Sequence, residues 1–273
     1  MPELPEVETV RRGLAPLLVG RRLLRAQVAE RRLREQVSLA EFRRVEGATV
    51  VDVRRRSKYL LLDTSAGQTV LVHLGMTGQI WVADHDRPPA PHQHVVIPLD
   101  DGREIRFADT RRFGLLRVVA EARLPEHPLL RGLGPEPFDP ALSAADLRSG
   151  SRGRRRPVKS LLLDTGTIAG IGNIYACESL FRAGIHPARA VGRIRTDRWK
   201  RLLEELRAVL TEAIRAGGTT LRDFLNAEGG PGYFRIRLRV YDREGDPCGR
   251  CGRSIRRIVQ AGRSTFYCAG CQR

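Results

Sequence analysis

The stretch Pro2-Glu3-Leu4-Pro5-Glu6-Val7-Glu8-Thr9-Val10 opens the chain and predicts how the part that follows is organised. Pro5 suits the first turn of a helix, where its missing N–H costs nothing, and carboxylates crowd the same turn. Val7, Val10 and Leu14 recur at helical spacing, so they form one apolar face. We therefore expect a leading helix that packs through this face.

The residue after the initiator methionine gives this helix a second interpretation. A small second residue normally allows Met1 to be removed, so the mature chain would begin with the secondary amine of Pro2. Such an amine can attack a sugar carbon and form a charged iminium, as in Schiff-base catalysis. The positive end of the helix dipole favours the neutral amine and the ionised forms of Glu3 and Glu6. The alternative, from composition alone, is a helix N-terminus without chemistry.

Short runs with strand character follow the helix, at intervals of roughly ten residues. Gly, Pro and Asp residues separate them. The runs are Leu23–Val28, Thr49–Val53, Tyr59–Asp63, Thr69–Leu74, Gln79–Val82, His94–Pro98, Glu104–Phe107 and Leu115–Val119. Many short strands at such spacing indicate a β-sandwich or barrel, with the first helix lying against it.

The proline-rich stretch Leu133–Pro140 marks a domain boundary, and the pattern beyond it is helical. Asp139 can cap one helix, Asn173 can cap a second, and Thr196 can begin a third. The third helix ends at Gly217-Gly218. Its apolar face comprises Leu202, Leu203, Leu206, Val209, Leu210 and Ile214.

Charge and cysteine usage limit the class of protein. The chain of 273 residues has a net charge of +17 and a pI of about 11.0, so its surface attracts polyanions. It lacks an apolar run of about 18 residues and a secretion signal. Four of its five cysteines fall in the last 26 residues, which favours a metal site in a reducing compartment. We expect a cytoplasmic protein without a membrane span, in which Cys177 is a buried apolar residue.

The four clustered cysteines have the spacing of a zinc site. Cys248-x2-Cys251 and Cys268-x2-Cys271 can each clamp one side of a tetrahedral ion. Between the pairs, Ser254–Val259 and Ser264–Tyr267 alternate as two strands, with the turn Gln260–Arg263 at the tip of a hairpin. The sequence therefore predicts one structural zinc ion in a tail too small to hold a core of its own.

A glycine-rich turn in the centre of the chain is a candidate phosphate clamp. Gly170–Tyr175 runs from a tight loop into a helix, whose free N–H groups can bind an anion. Lys159 and the basic cluster Arg152–Arg156 add positive charge. Without them the turn would be interpreted as a plain helix cap.

The opening stretch, taken whole, resembles the start of bacterial formamidopyrimidine-DNA glycosylase residue for residue. The glycine-rich turn and the four-cysteine tail resemble the same base-excision repair family. The resemblance implies a monomeric bifunctional enzyme, a DNA glycosylase and abasic-site lyase. Its partner would be double-stranded DNA that contains an oxidised purine, either 8-oxoguanine opposite cytosine or a formamidopyrimidine. Pro2 would form the Schiff base, and β,δ-elimination would cut the strand.

The same resemblance assigns catalytic roles. Glu3 would shuttle protons to the sugar ring oxygen, and Glu6 would support the site through hydrogen bonds. Lys58 would lie beside the N-terminal amine, where its charge lowers the amine's pKa. Arg263, at the hairpin tip, would contact a DNA phosphate near the lesion and so serve both catalysis and binding.

Two loops, residues 73–78 and 109–114, are here called the wedge loops. A base must leave the duplex before its sugar carbon can be attacked, and apolar side chains fill the resulting gap. By resemblance, Met76 and Phe113 would enter the DNA helix. Taken singly, such residues are more often part of a core.

Polar residues near the wedge loops would contact the DNA. By resemblance, Arg111 would bond the orphaned cytosine, and Arg112 would bind phosphate. His92 is a weaker candidate contact, with a solvated loop histidine as the alternative. The family usually has proline where Thr110 stands, a modest departure beside these arginines.

The second half of the chain would hold the flanking phosphates. Residues equivalent to Lys159 and Asn173 do so in the family's helix–two-turns–helix module. The glycine-rich stretch Asn226–Tyr233 would cover the flipped base, together with residues that precede it. Those residues are Thr219, Thr220 and Arg222.

The predicted architecture is α+β. An N-terminal catalytic β-sandwich with a leading helix (1–131) precedes a helical helix–two-turns–helix DNA-binding domain (132–232) and a zinc finger hairpin (233–273). One alternative is the sister family endonuclease VIII, which removes oxidised pyrimidines and usually has glycine where Leu4 stands. Another is a non-enzymatic zinc-containing nucleic-acid-binding protein, which would not explain the N-terminal carboxylates.

Overall fold

The computed structural model describes residues 2–217 and 238–273. The chain divides into two compact units. Unit 1 comprises residues 2–131 and, among the described residues, 216–217; unit 2 comprises residues 132–215 and 238–273. The predicted three-domain division stays a prediction, because the residues around its second boundary lie outside the described part of the chain.

Unit 1 begins with the predicted helix α1, Leu4–Leu18, and Pro5 lies in its first turn. The Glu3 backbone N–H donates a hydrogen bond of 2.8 Å to Glu6 Oε2, so the N3 carboxylate satisfies a donor just before the helix. Val7, Val10 and Leu14 are buried, as their spacing predicted. A short helix α2, Leu39–Phe42, follows.

In the described ranges, eight strands make up the sheets of unit 1. They are β1 Gln27–Val28, β2 Val50–Arg56, β3 Tyr59–Thr64, β4 Gln68–His73, β5 Gly78–Asp84, β6 Gln93–Pro98, β7 Arg103–Asp109 and β8 Leu115–Ala120. They form two four-stranded antiparallel sheets, in the orders β1-β6-β7-β5 and β2-β3-β4-β8. The first predicted run is the least regular, since Leu23 makes only a single bridge, to Leu99.

The two sheets share one core, which confirms the predicted sandwich. Alternate residues point inward, such as Leu60 and Leu62 from one sheet and Ile105 and Phe107 from the other. This is the period of two expected for strands with one face on the core. The apolar face of α1 joins the same cluster, so the helix is fixed by burial of that face.

Unit 2 is helical before its last segment. Its helices are α3 Ala144–Gly150, α4 Val158–Leu162, α5 Asn173–Ala183 and α6 Thr196–Arg215. Helix α6 begins at Thr196, as predicted, and packs against α3 and α5. Five of its predicted face residues, Leu202 to Leu210, are buried, and Ile214 is partly exposed.

Two predicted caps are wrong. Ser143, not Asp139, caps α3, because Ser143 Oγ accepts from the Asp146 N–H at 3.1 Å. Asp139 Oδ1 instead accepts from the Ala141 N–H at 2.8 Å, which closes a local turn. Asn173 is the first residue of α5 rather than its cap, which is Gly172.

The last segment forms a hairpin of strands β9 Arg256–Gln260 and β10 Arg263–Tyr267. Ala261 and Gly262 make a two-residue turn with φ of 48° and 70°. Positive φ at both positions matches the twist of the flanking strands. Cys177 of α5 is buried in the cluster beneath this hairpin, as predicted.

None of the helices in the described ranges is both long and apolar enough to cross a membrane.

Candidate functional site

Strand pairing brings the turn of Lys58 and the two wedge loops together at one end of the sandwich. Tyr59 and Leu115 both pair with His73, and Gly78 pairs with Asp109. The turn between β2 and β3, which carries Lys58, therefore lies beside the start of one wedge loop. The other wedge loop leaves the end of β7 next to the point where the first returns. Antiparallel register thus converts three distant stretches into one surface.

The start of α1 is buried. Pro2, Glu3 and Glu6 are all shielded from solvent in the full chain, and the Pro2 nitrogen carries Met1 in a peptide bond. A free amine therefore requires removal of Met1.

Arg55 connects this helix to the turn that carries Lys58. Its Nε contacts Glu8 Oε2 at 3.2 Å, and its Nη1 donates to Ser57 O at 2.8 Å. Ser57 has a φ of 56°, so the turn is tight, and Lys58 is buried. Sequence reasoning missed Arg55, because its two partners become neighbours only through the packing of α1 on β2.

His73 is held neutral. Burial, together with the charges of Arg34 and Lys58, lowers the pKa of His73 to about 4. Its ring packs at 4.8 Å from the Tyr59 ring, and its Nδ1 accepts from the Gly75 N–H at 2.9 Å. The imidazole therefore fixes the start of the first wedge loop at neutral pH.

The wedge loops present large apolar side chains to solvent. Met76 is 38% exposed and Phe113 is 46% exposed, so neither is a core residue. The guanidinium of Arg111 lies 4.8 Å from the centre of the Phe113 ring. Arg112 has a φ of 59° and an ion pair of 3.3 Å with Glu30. Such exposed apolar side chains beside arginines suit insertion into a stacked polyanion.

His92 lies exposed in the turn before β6, with a φ of 57°. The second histidine of this stretch, His94, is buried, and its Nε2 is 2.8 Å from Asp109 O. The Asp109 N–H in turn donates to His92 O at 3.0 Å. Sequence reasoning considered only His92. A period of two that places Val95 and Ile97 in the core puts His94 on the opposite face, so the pattern gave no signal for its burial.

In unit 2, Lys159 and Asn173 converge on the hairpin. Lys159 is 0% exposed, and its Nζ contacts Thr265 Oγ1 at 2.5 Å and Ser264 O at 3.3 Å. Asn173 Nδ2 donates to the same Ser264 carbonyl at 2.8 Å. Arg263, adjacent to Ser264, is exposed. Lys159 and Asn173, both predicted to bind phosphate, thus hold the backbone next to Arg263, the third predicted phosphate ligand. A direct contact between Lys159 and phosphate stays a prediction.

A buried carboxylate that sequence reasoning missed orders the segment before the zinc-like tail. Glu178 of α5 accepts the backbone N–H groups of Arg239, Val240 and Tyr241, with Oε1 distances of 3.0, 2.9 and 2.9 Å. Glu178 is buried. A helical glutamate gives no sequence signal for such a role, since its partners lie about sixty positions away.

The four predicted cysteines form a metal site. Their sulfur atoms all lie within 4.8 Å of one another, with Cys248–Cys271 at 3.8 Å and Cys251–Cys268 at 3.4 Å. Four thiolates bound to zinc at about 2.3 Å lie about 3.8 Å apart, so the cluster fits the ion. The Arg253 backbone N–H, helped by neighbouring thiols, lowers the pKa of Cys251 to about 7.

The predicted lid lies outside the described residues. This applies to Asn226–Tyr233 and to Thr219, Thr220 and Arg222.

Comparison with protein families agrees with the order of these segments. Residues 1–116 match the formamidopyrimidine-DNA glycosylase N-terminal domain, and residues 133–225 match the H2TH domain of that enzyme. Residues 245–273 match a zinc finger found in FPG and IleRS. The third match and the sulfur geometry together establish a structural zinc site.

Individual proteins give the same result over the whole chain. Formamidopyrimidine-DNA glycosylases of Alkalilimnicola ehrlichii and Ruegeria pomeroyi are 53% and 50% identical, with 100% of both chains covered in each comparison. The MutM (Fpg) structure from Thermus thermophilus has a TM-score of 0.87 at 42% identity and covers 99% of this chain and 98% of its own. A Lactococcus lactis Fpg structure in complex with abasic-site DNA has a TM-score of 0.91 at 30% identity and covers 100% of both chains. With identity at this level over the full length, the chain belongs to the formamidopyrimidine-DNA glycosylase family.

Proposed function

We propose that this protein is a bifunctional DNA glycosylase and abasic-site lyase of base-excision repair. Its substrates are oxidised purines in double-stranded DNA, with 8-oxoguanine opposite cytosine and formamidopyrimidines as the principal lesions. The observation that carries this proposal is the buried start of α1, where Pro2 stands with Glu3 and Glu6, tied through Arg55 to the turn of Lys58.

The relatives support DNA as the partner. Solved Lactococcus lactis Fpg structures contain abasic-site DNA or a Fapy-dG lesion. The net charge of +17 suits a DNA duplex, and it predicts binding that weakens with salt. We propose a monomer that acts in the cytoplasm, where zinc-bound thiols stay reduced.

The chemistry begins after Met1 is removed. The Pro2 nitrogen attacks C1′ of the damaged nucleotide, a nitrogen–carbon bond forms, and the glycosidic bond breaks with a proton passing to the departing base. Glu3 protonates the ring oxygen as the C1′–O4′ bond opens, which leaves an iminium. The iminium acidifies the C2′ proton, and its loss expels the 3′ phosphate. Loss of the C4′ proton then expels the 5′ phosphate.

The remaining residues of unit 1 prepare this step. Glu6 holds the Glu3 backbone through its 2.8 Å hydrogen bond. Lys58 favours the neutral amine and binds phosphate. Met76 and Phe113 fill the space of the flipped nucleotide, and their exposure supports this role. Arg111 bonds the orphaned cytosine, while Arg112 and His92 bind the backbone.

Unit 2 supplies phosphate contacts. Arg263 contacts a phosphate near the lesion, and Lys159 and Asn173 serve the flanking phosphates, in part by holding the Ser264 carbonyl beside Arg263. The zinc ion would be held by Cys248, Cys251, Cys268 and Cys271, and it would act as a staple for the hairpin. The proposed third domain, 233–273, contains this hairpin.

Borohydride trapping tests the nucleophile. The protein is made with a cleavable N-terminal extension and assayed before and after cleavage exposes Pro2, on a duplex with one 8-oxoguanine opposite cytosine. We expect a covalent adduct, and cut ends bearing 3′ and 5′ phosphates, only after cleavage. Mass spectrometry of the trapped peptide locates the bond. Equal adduct yields from both forms would contradict the assignment.

The same assay tests the substrate class. A duplex with thymine glycol in place of 8-oxoguanine reports activity on oxidised pyrimidines. We expect faster excision of 8-oxoguanine, and a reversed preference would favour the endonuclease VIII alternative.

A further inference from the structure

We propose that the buried carboxylate of Asp109 is a positioning residue, which joins the two wedge loops into one rigid body and thereby sets where Arg111 meets the base opposite the lesion. This inference rests on the proposed function. Asp109 is the last residue of β7 and is 1% exposed.

Both oxygens of Asp109 are used by the wedge loops. Oδ1 accepts from Thr77 Oγ1 of the first loop at 2.5 Å and from the Arg111 N–H of the second at 3.2 Å. Oδ2 accepts from the Gly114 N–H at 2.6 Å. Thr77 Oγ1 also lies 3.1 Å from the Arg111 nitrogen. One carboxylate therefore bonds both loops and both flanks of Phe113.

The loops also touch backbone to backbone. A Cβ placed on Gly75 would lie 2.5 Å from the Phe113 carbonyl carbon and 2.6 Å from the Gly114 nitrogen. Gly75 has a φ of 63° as well. Only glycine allows this approach, so at Gly75 the backbones of the two loops pack directly against each other.

The backbone of Asp109 is itself anchored. Its N–H donates to His92 O, and its carbonyl faces His94 Nε2 at 2.8 Å. The buried His94 imidazole thus extends the bonding from the wedge loops into β6. These contacts hold the backbone of Asp109 in place, and with it the carboxylate that bonds the wedge loops.

An acceptor-only group is needed at this position. Asp109 receives two backbone N–H groups and one hydroxyl, and an ionised carboxylate offers acceptors alone. Asparagine has the same shape but replaces one oxygen by an N–H₂ donor. That donor would face either the Gly114 N–H or the Thr77–Arg111 pair, and a buried donor would lose its partner.

The positions of Arg111 and Phe113 depend on these bonded loops. Their side chains stack on each other beyond the Asp109 hydrogen bonds. Discrimination by a bidentate arginine depends on its position relative to the base edge. Loosening the contact between the two wedge loops should therefore reduce the preference for cytosine opposite the lesion more than it reduces the rate of the reaction at Pro2.

The test measures excision of 8-oxoguanine opposite cytosine and opposite adenine by Asp109→Asn and Thr77→Val. For each variant, the single-turnover excision rate and, from multiple-turnover assays, KM are measured. The rate of strand cleavage at a preformed abasic site is measured for comparison. We expect the cytosine-to-adenine ratio to fall about tenfold in Asp109→Asn, the size of one lost charge-assisted hydrogen bond, and less in Thr77→Val. We expect KM to rise and abasic-site cleavage to change little.

Two control variants separate positioning from general destabilisation. Asp63 is a buried carboxylate on β3 that accepts from Thr69 Oγ1 at 2.6 Å and pairs with Arg54. Asp63→Asn should lower the unfolding temperature and leave the ratio unchanged. Gly67 has a φ of 64°, almost that of Gly75, but open space at its Cβ position. Gly75→Ala should lower the ratio, whereas Gly67→Ala should not.

The outcomes separate this inference from the proposed function. If the wild-type protein does not cut the 8-oxoguanine duplex, the proposed function fails. If it does, and Asp109→Asn, Thr77→Val and Gly75→Ala all keep the wild-type ratio, the positioning role is overturned. Should Asp109→Asn not fold, Thr77→Val and Gly75→Ala still decide, because both retain the carboxylate.

Discussion

The wedge loops of unit 1 and the hairpin of unit 2 both carry an exposed arginine, yet different forces hold them. The wedge loops leave two sheets that share a core of 24 buried residues in the part of the chain that the structure describes. Among the described residues, the cluster beneath the hairpin has seven, of which Cys248 and Cys268 are metal ligands. A large core positions loops through burial, whereas a small one needs a metal and a few buried polar contacts.

This contrast indicates which perturbations each region tolerates. The hairpin depends on groups that can be removed one at a time, namely thiolates and Glu178. The stability of unit 1 is distributed over many apolar contacts. A single polar substitution there should therefore mainly change how stability depends on pH, or shift the position of a wedge loop.

Removal of the metal should have the largest effect. Cys268→Ala leaves three thiolates, and because structural zinc contributes apparent binding free energies of about 10–16 kcal/mol, the hairpin should lose its fold. We expect loss of bound zinc and of DNA binding, with the sheets of unit 1 intact by circular dichroism. Cys177→Ala is the control, since Cys177 lies in the same cluster but is no ligand. Zinc retained at one ion per chain in Cys268→Ala would contradict this.

Loss of the Glu178 charge should come next. Hydrogen bonds to buried charged groups contribute about 1.5–3 kcal/mol each, so Glu178→Gln should lower the free energy of unfolding by about 3 kcal/mol. Urea unfolding measures this. Glu244→Gln serves as the comparison, since Glu244 and its ion-pair partner Arg257, 3.6 Å away, are both exposed; its loss should cost under about 1 kcal/mol. Equal losses would show that Glu178 is not an anchor.

The pH dependence of stability should reveal His73 in unit 1. Its folded pKa of about 4 lies below the ordinary value of 6.5, so the unfolded chain binds the proton more readily. This contribution to stability is complete above pH 6.5 and is lost as the pH falls towards 4, by about 3 kcal/mol. His73→Gln should flatten the curve in this range. A curve in His73→Gln that stays as steep as in the wild-type protein between pH 6.5 and 4 would contradict this origin.

The smallest effect should follow from Glu8→Gln. Although burial raises the pKa of Glu8, hydrogen bonds from Arg11 and Arg12 hold it below 4.5. The charge therefore stabilises the fold above pH 4.5, and this contribution disappears as the pH falls through the folded pKa. We expect a modest drop in unfolding temperature at pH 7 that vanishes in acid. A drop that persists at pH 3 would point to packing instead.

Local patterns were enough for much of the fold. Alternating runs between Gly and Asp turns predicted all eight of the strands described in unit 1, since the period and the turn residues are local properties. The spacing of Cys248 and Cys268 from their partners predicted the metal site for the same reason. Pro5 and the spacing of Val7 and Val10 predicted α1 and its buried face.

Sequence reasoning failed where partners are distant in the chain. Asn173 is of a residue type that often caps helices, but its side-chain amide donates a hydrogen bond to Ser264 O, 91 residues away. Thr77 and Asp109 are separated by 32 residues. Asp139 was predicted as a cap because Pro140 follows it, but its carboxylate closes a local turn and Ser143 caps the helix.

The amino-acid sequence by itself therefore determined the elements, the metal ligands and the chemical character of the N-terminus, because each depends on residues close together in the chain. Only the tertiary structure decided which side chains hold those groups in place. Arg55, Asp109, Glu178 and Lys159 acquire their partners through sheet register and helix packing, and buried polar groups must find partners wherever the fold brings a donor or acceptor within reach.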